Sequence, residues 1–450
     1  MKDDVLHAAP SLGATREDIL RAQDRLKVRR IRREGNWMRL VWLLAGPGVL
    51  VMLGENDGPS MVSYATTGAT YGVGFFVPFI LLTFGMAFVV QEMAVRVGVA
   101  TQHGHAELIF QRFGPFWGYF AMWDLVFGNL LTLVTEFIAI QAGGLYFGFP
   151  TWFSVGFGVA AIFCSLALRR YATWERVLLG LAAANLLFIP AALFAHPSAG
   201  NLLHALATWG PLPGGMGTAF LTLVLANVGA TVTPWMIFFQ QSAVVDKGLT
   251  RADLPQGRMD TAIGAGLAAV AAIATVVATA PLFAAHVDVS QFASGADFAT
   301  ALRPLIGETG ATLFALGIVE AGLVAAMTIS TSSSYSLAEA FSARHSLNLD
   351  FAHGRLFYGA AIVSTLLAAG VVLIPGAPLL AMTLTVNVIA TLLMAPALLL
   401  LLLLANDREI MGDLANGRWA NAAGGTIVVA IALMGSAYGL VVTFPTVLGK

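Results

Sequence analysis

Gly54-Glu55-Asn56-Asp57-Gly58-Pro59-Ser60 interrupts an apolar segment that runs from about Leu40 to about Tyr71. Upstream lies Val41-Trp42-Leu43-Leu44-Ala45-Gly46-Pro47-Gly48-Val49-Leu50-Val51-Met52-Leu53, and downstream a second run of smaller residues. A helix that crosses a bilayer needs about 20 mostly apolar residues, so two carboxylates and a Gly-Pro pair fall near mid-membrane. Pro59 has no amide hydrogen and Gly58 tolerates unusual dihedrals, so helical hydrogen bonding is expected to fail here. Backbone freed at that depth is tolerated only where it is buried in protein or lines a polar cavity. Asp57 in such a gap is costly unless it binds something, which makes it the first functional candidate. The bland alternative is a proline kink with a water-solvated acid.

The surrounding chain reads as a membrane protein. Hydrophobic residues make up 58% of its 450 residues and charged residues 11%, with a mean hydropathy of +0.79, outside the range of soluble domains. Its one cysteine, Cys164, excludes an internal disulfide framework and a multi-cysteine metal cluster. Ten of the 24 Lys and Arg residues lie before residue 41. Beside a membrane segment such a basic run reads as a cytoplasmic flank that touches anionic lipid, rather than as a nucleic-acid surface. No apolar core or small-residue cleavage site precedes it, so it is not a signal peptide.

Residues 1–39 read as a tail, with Ala14 to Arg33 expected to lie as a helix along the inner leaflet. Eleven membrane segments follow, at about 41–71, 74–99, 116–147, 151–168, 175–195, 217–245, 260–285, 309–340, 356–375, 378–404 and 421–446. With the N-terminus inside, the tail and the inner loops hold 22 of the 24 Lys and Arg residues; only Arg303 and Lys450 fall outside. That is the positive-inside pattern of an inner-membrane protein with its C-terminus outside. The sixth segment carries a second interruption, Asn227-Val228-Gly229-Ala230-Thr231-Val232-Thr233-Pro234-Trp235. Interrupted helices five segments apart are the sequence mark of a transporter built from inverted repeats. The expected organisation is all-α: tail 1–40, five-helix repeats over 41–196 and 216–404, and an added eleventh helix within 420–450.

With these residues in place, the chain resembles the Nramp family of proton-coupled manganese and iron transporters. Gly46-Pro47 through Gly72 runs without a gap along that family's first helix, and Asp57-Gly58-Pro59-Ser60 falls on its Asp-Pro-Gly-Asn signature. Gly229-Ala230-Thr231-Val232-Thr233-Pro234 falls on its Gly-Ala-Thr-Val-Met-Pro. Gln91 to Thr101, Thr135-Glu136-Phe137, Thr328 to Ser334 and Asp407 to Gly412 resemble further, weaker stretches. The resemblance implies the ten-helix LeuT fold, helices 1 and 6 broken, with the family's metal-binding aspartate kept as Asp57. It also exposes departures: Ser60 replaces the asparagine, Thr233 the methionine, and Trp235 and Gln240 two histidines. Leu133 replaces an acid one turn before Glu136, and the tenth-helix glutamine aligns with Asn387.

The oxygen inventory at the two breaks is then the Asp57 carboxylate, the Ser60 and Thr233 hydroxyls, freed carbonyls near Leu53 and Ala230, and the Asn387 amide. A hard, all-oxygen set suits Mg²⁺, with Mn²⁺ second, as in the Nramp-related magnesium transporters that have also lost the methionine. Glu55 points away from Asp57 on an intact helix; unwinding would bring it to the site, or it pairs with a neighbouring helix. Glu136 and Glu320 read either as neutral structural acids or as members of an ion or proton relay. Loss of the histidines points to uncoupled, potential-driven transport. His103 and His105 read as solvated loop residues, and Thr328 to Ser334 as a helix-packing cluster.

No phosphate-binding loop, zinc-hydrolase pair or nucleophile elbow occurs. The expectation is therefore a divalent-cation transporter, not an enzyme, without a cofactor beyond its ion. Lipid is its surrounding and a monomer is compatible with the sequence. The rivals are a Na⁺- or proton-coupled amino-acid or organic-solute transporter of the same fold, and a non-transporting membrane sensor.

Overall fold

A computed structural model describes residues 46–211 and 217–443, together with the isolated positions 23, 26, 30 and 34. The helix expected over Ala14 to Arg33 lies, apart from those positions, outside the described residues. Among the described residues every regular element is helical. Nine helices among the described residues are long and apolar enough to cross a membrane: Phe76–Thr101, Pro115–Tyr146, Tyr171–Phe194, Thr218–Lys247, Arg251–Ala284, Gly295–Ala340, Arg355–Val372, Leu379–Asn406 and Arg418–Leu440. Thr151–Leu166 is apolar but shorter.

The quoted stretch divides two helices. Helix α1, Pro47–Glu55, stops at Asn56 (φ −73°, ψ 54°), and α2, Gly58–Tyr71, begins after Asp57 in an extended conformation (φ −77°, ψ 175°). Pro59 sits in the first turn of α2, where a missing amide costs no intrahelical bond. Asp57 caps that turn by accepting the Ser60 amide at 2.8 Å. Next come α3, Phe76–Thr101; α4, His105–Phe113; α5, Pro115–Tyr146; and α6, Thr151–Leu166. Helix α7, Tyr171–Ala182, runs through a 3₁₀ turn at Ala183–Leu187 into α8, Phe188–Phe194. The connection between the expected repeats holds a further helix, α9, Ala199–Thr208.

A second interruption divides α10, Thr218–Gly229, from α11, Pro234–Lys247, with Thr233 extended (φ −122°, ψ 155°) and Pro234 opening α11. Thr231 Oγ1 turns back onto the Asn227 and Val228 carbonyls at 3.1 and 3.0 Å. The Val228 carbonyl also accepts the Thr231 and Val232 amides at 3.1 and 3.0 Å, so carbonyls left over at the helix C-terminus find partners within the break. The chain continues through α12, Leu254–Ala284, and α13, Gly295–Ala340. Gly307, at φ 78°, breaks α13; the expected segment at 309–340 is the part after that break. Helices α14, Arg355–Val372, α15, Leu379–Asn406, α16, Arg408–Met411, and α17, Arg418–Thr443, complete the chain.

Helix α13 lies along α5, while α12 lies against α1, α2 and α3. Helices approach this closely where side chains are small. A Cβ on Gly58 would lie 2.2 Å from Ala139 Cβ, and one on Gly229 would lie 1.9 Å from the Asn387 carbonyl oxygen. The two interruptions are thereby pressed against α5 and α15. On the outside, Phe116, Trp117, Phe120 and Trp123 at the start of α5 are exposed, as expected of an aromatic belt at a membrane interface.

Candidate functional site

Asp57 and Glu55, the two carboxylates of the first interruption, are both buried, 1% and 0% exposed. An intact helix would point them apart; with Asn56 and Asp57 unwound, Glu55 faces the second interruption while Asp57 caps α2 beside Glu136. Glu55 Oε2 accepts a 2.8 Å hydrogen bond from Thr233 Oγ1, so one side chain joins the two gaps. Glu55 thus pairs with the residue that precedes the neighbouring helix α11, at the second interruption. Tyr64, one turn into α2, donates its hydroxyl to the Ala230 carbonyl at 2.8 Å. That leaves the Ala230 oxygen one lone pair. Ser60 Oγ stands beside the Asp57 carboxyl, fully buried, without closing a hydrogen bond.

Glu136, in the middle of α5, accepts the Gly58 amide at 2.9 Å and lies against the Asp57 carboxyl. It therefore grips the first turn of α2 from behind. Leu53 sits in the last turn of α1, where carbonyls lack intrahelical partners. Asn387 of α15 donates through Nδ2 to Ser63 Oγ at 2.9 Å, which leaves its amide oxygen available. Helix C-termini at α1 and α10 and N-termini at α2 and α11 thus converge on one small region. Carbonyl ends carry partial negative charge and suit a cation.

Glu320 of α13 lies further along, in contact with Asn185 of the 3₁₀ turn, and its Oε2 is buried without a partner. Asn185 in turn clasps Asn56: Asn56 Nδ2 donates to Asn185 Oδ1 at 3.0 Å, and Asn185 Nδ2 to the Asn56 carbonyl at 3.0 Å. Asn56 Nδ2 also reaches the Ala268 carbonyl on α12 at 2.8 Å. This clamp fixes the unwound residue between α1 and α2. Sequence reasoning missed it, although a lone asparagine in the apolar run around Asn185 is itself a signal.

Trp235 and Gln240, the residues at the positions of the family's histidines, are both buried. The Trp235 indole packs on Gly54, its carbonyl accepts Ser332 Oγ at 3.2 Å, and the Gln240 amide is buried without a partner. The cluster from Thr328 to Ser334 is mixed. Thr331 and Ser334 bond back to their own helix, whereas Ser333 receives Asn129 of α5 at 3.0 Å. His105 corrects its expectation. It is fully buried, not solvated, with Nδ1 2.9 Å from Gln241 Oε1, and burial lowers it to about 4 against the raising effect of that hydrogen bond. It is a neutral strut between α4 and α11.

The N-terminal end of α1 is held by a separate group. Asp260 of α12 accepts the Gly46 and Gly48 amides at 3.0 and 2.7 Å. Beside it Lys247 pairs with Glu175 at 2.9 Å, nearly buried, and Tyr171 donates to the same carboxylate at 3.0 Å.

Residues 48–442 match the family described as Natural resistance-associated macrophage protein-like (Nramp). The divalent metal cation transporter MntH of Pectobacterium carotovorum subsp. carotovorum (strain PC1) is 28% identical over 407 residues, 86% of this chain and 92% of that protein. MntH of Klebsiella pneumoniae (strain 342) is 26% identical over 401 residues, 86% of this chain and 91% of its own length. Among solved structures, the Eremococcus coleocola manganese transporter in complex with an aromatic bis-isothiourea substituted compound gives a TM-score of 0.73. It is 20% identical, with 91% of this chain and 90% of that one covered. MhsT in complex with L-phenylalanine gives 0.57 at 16% identity, covering 88% of this chain and 97% of that one. The structural likenesses carry the fold, a LeuT-like helical arrangement.

Proposed function

From the premise that this chain belongs to the Nramp family, an integral membrane family with transporter and not enzyme relatives, we propose that it carries divalent metal cations by alternating access, hard ions first. The observation that carries the reading is the Glu55–Thr233 bond, which joins the two helix interruptions through buried oxygens, with a threonine where the family has methionine. Asp57 is the anionic ligand. Ser60, Thr233, the carbonyls of Leu53 and Ala230, and the Asn387 amide oxygen complete the shell, partly through water. Mg²⁺ is preferred and Mn²⁺ comes second, because Mg²⁺ is typically held by one or two carboxylates while keeping several waters. Dehydration is the main cost of entry, and the carboxylate and oriented carbonyls offset it.

The topology belongs to the same proposal: eleven crossings, helices 1 and 6 broken, two inverted five-helix repeats over 41–196 and 216–404, and an added helix within 420–450. The protein sits in the inner membrane with its N-terminus cytoplasmic and its C-terminus outside. Transport is uncoupled from protons. Trp235 and Gln240 supply no imidazole, and Glu136 is engaged with the Gly58 amide. The test is Mg²⁺ and Mn²⁺ uptake into proteoliposomes with an internal pH dye, wild type beside Asp57→Ala. Saturable Mg²⁺ uptake that the variant abolishes, without acidification, is expected. Acidification in step with uptake overturns the uncoupled reading, and no flux of either ion through folded protein overturns the metal reading.

A further inference from the structure

We propose that Glu55 is a second anionic ligand of the transported ion, held across both helix interruptions, and that it sets the site's preference for divalent charge. The inference deepens the metal-transport reading and rests on it. Glu55 lies two residues before Asp57, ahead of the stretch that falls on the family's signature, and it is fully buried at the end of α1. One of its oxygens is accounted for by Thr233 at 2.8 Å. The other, Oε1, is buried and completes no hydrogen bond, and the Trp235 indole N–H beside it is likewise unsatisfied. A buried carboxylate oxygen without a donor is costly. Two carboxylates placed close together are costlier still unless a positive charge lies between them.

The surroundings identify that charge. Glu55 and Asp57 flank the unwound Asn56 and are both buried; Glu55 reaches Thr233, and Tyr64 of α2 reaches the Ala230 carbonyl of the same second interruption. The side-chain bonds that cross between the two interruptions end on oxygens: Tyr64 Oη on the Ala230 carbonyl and Thr233 Oγ1 on Glu55. Among the described residues, no lysine or arginine is recorded in hydrogen-bond or ion-pair contact with Glu55, Asp57 or Glu136. A divalent ion beside Asp57 alone would leave one buried positive charge unmatched. Glu55 completes the balance, whereas a monovalent ion between the same two groups would leave a net negative charge. Glu136 is placed differently, because its Oε2 is committed to the Gly58 amide behind α2. Thr233 has a corresponding task. It anchors Glu55 across the gap, so ion binding pulls α1 and α11 together.

The experiment is binding of Mg²⁺, and separately of Li⁺, to the purified full-length protein by calorimetry, with wild type, Glu55→Gln, Glu55→Asp and Asp57→Asn. Thermal melting without ions checks folding. Glu55→Gln, nearly isosteric, is expected to weaken Mg²⁺ at least about tenfold while Li⁺ changes far less, so the Mg²⁺-to-Li⁺ ratio falls; Glu55→Asp should recover part of the loss. A merely structural role would weaken both ions alike, and that result overturns the proposal. So does Glu55→Gln binding Mg²⁺ as wild type does while Asp57→Asn fails, which leaves metal transport standing. Wild type that binds neither Mg²⁺ nor Mn²⁺ overturns the underlying reading instead.

Discussion

Asp57 carries two loads on one carboxylate. Its Oδ1 accepts the Ser60 amide and so caps α2, while its charge lies in the gap between α1 and α2. The two loads separate by substitution. Asparagine caps a helix about as well as aspartate, whereas alanine forfeits about 1 kcal/mol. Asp57→Asn should therefore melt within a few degrees of wild type and yet give no saturable Mg²⁺ heat in calorimetry. Asp57→Ala should lose the binding and the cap together. Unchanged binding by Asp57→Asn would remove its charge from the site. Asp57 is legible in sequence because a carboxylate beside Gly-Pro in an apolar run has few other meanings. The direction of Glu55 is not, since helical periodicity turns it away and only the unwound Asn56 brings it back. Tyr64 and Asn185 are equally silent, because their partners, Ala230 and Asn56, lie 166 and 129 residues away in the chain.

Among the elements, α1 depends for its first turn on a neighbouring helix. It is nine residues long, ends in an unwound pair, and its first amides are held by Asp260 of α12 rather than by a cap of its own. Short segments held by few groups supply the moving parts of conformational switches. Hydrogen bonds to a charged group contribute about 1.5–3 kcal/mol each. Asp260→Ala should thus raise amide exchange over residues 46–55 by an order of magnitude or more, with α2 unchanged, as read by hydrogen–deuterium exchange. Equal protection in wild type and variant would mean that α1 is held by packing alone. Apolar runs announce most of the helices. The exceptions are places where backbone geometry decides, such as Gly307 splitting α13 and α9 forming in a connection that reads as loop.

At the scale of the molecule, the loops assigned to the cytoplasm by their Lys and Arg residues touch one another. Arg112, before α5, pairs with Glu409 of α16 at 2.8 Å, and Arg251, before α12, with Asp413 at 2.6 Å. Asn348, between α13 and α14, accepts the Tyr171 amide at 3.0 Å, and Ser346 bonds Asp246 of α11 at 2.6 Å. These connections alternate along the chain, so their meeting on one face requires an even number of crossings between each and the next. Charge counting makes that parity legible. The pairs themselves are not, because each joins residues far apart in sequence. On the proposed topology, the connection at 285–294 and the end of α17 belong to the face opposite the basic loops. A reporter active only outside the cytoplasm, joined after His286 or after Thr443, should be active, and the same reporter joined after Gly412 should be silent. Activity after Gly412 would invert the proposed orientation. Activity at both Gly412 and Thr443 would remove α17 as a crossing and leave ten.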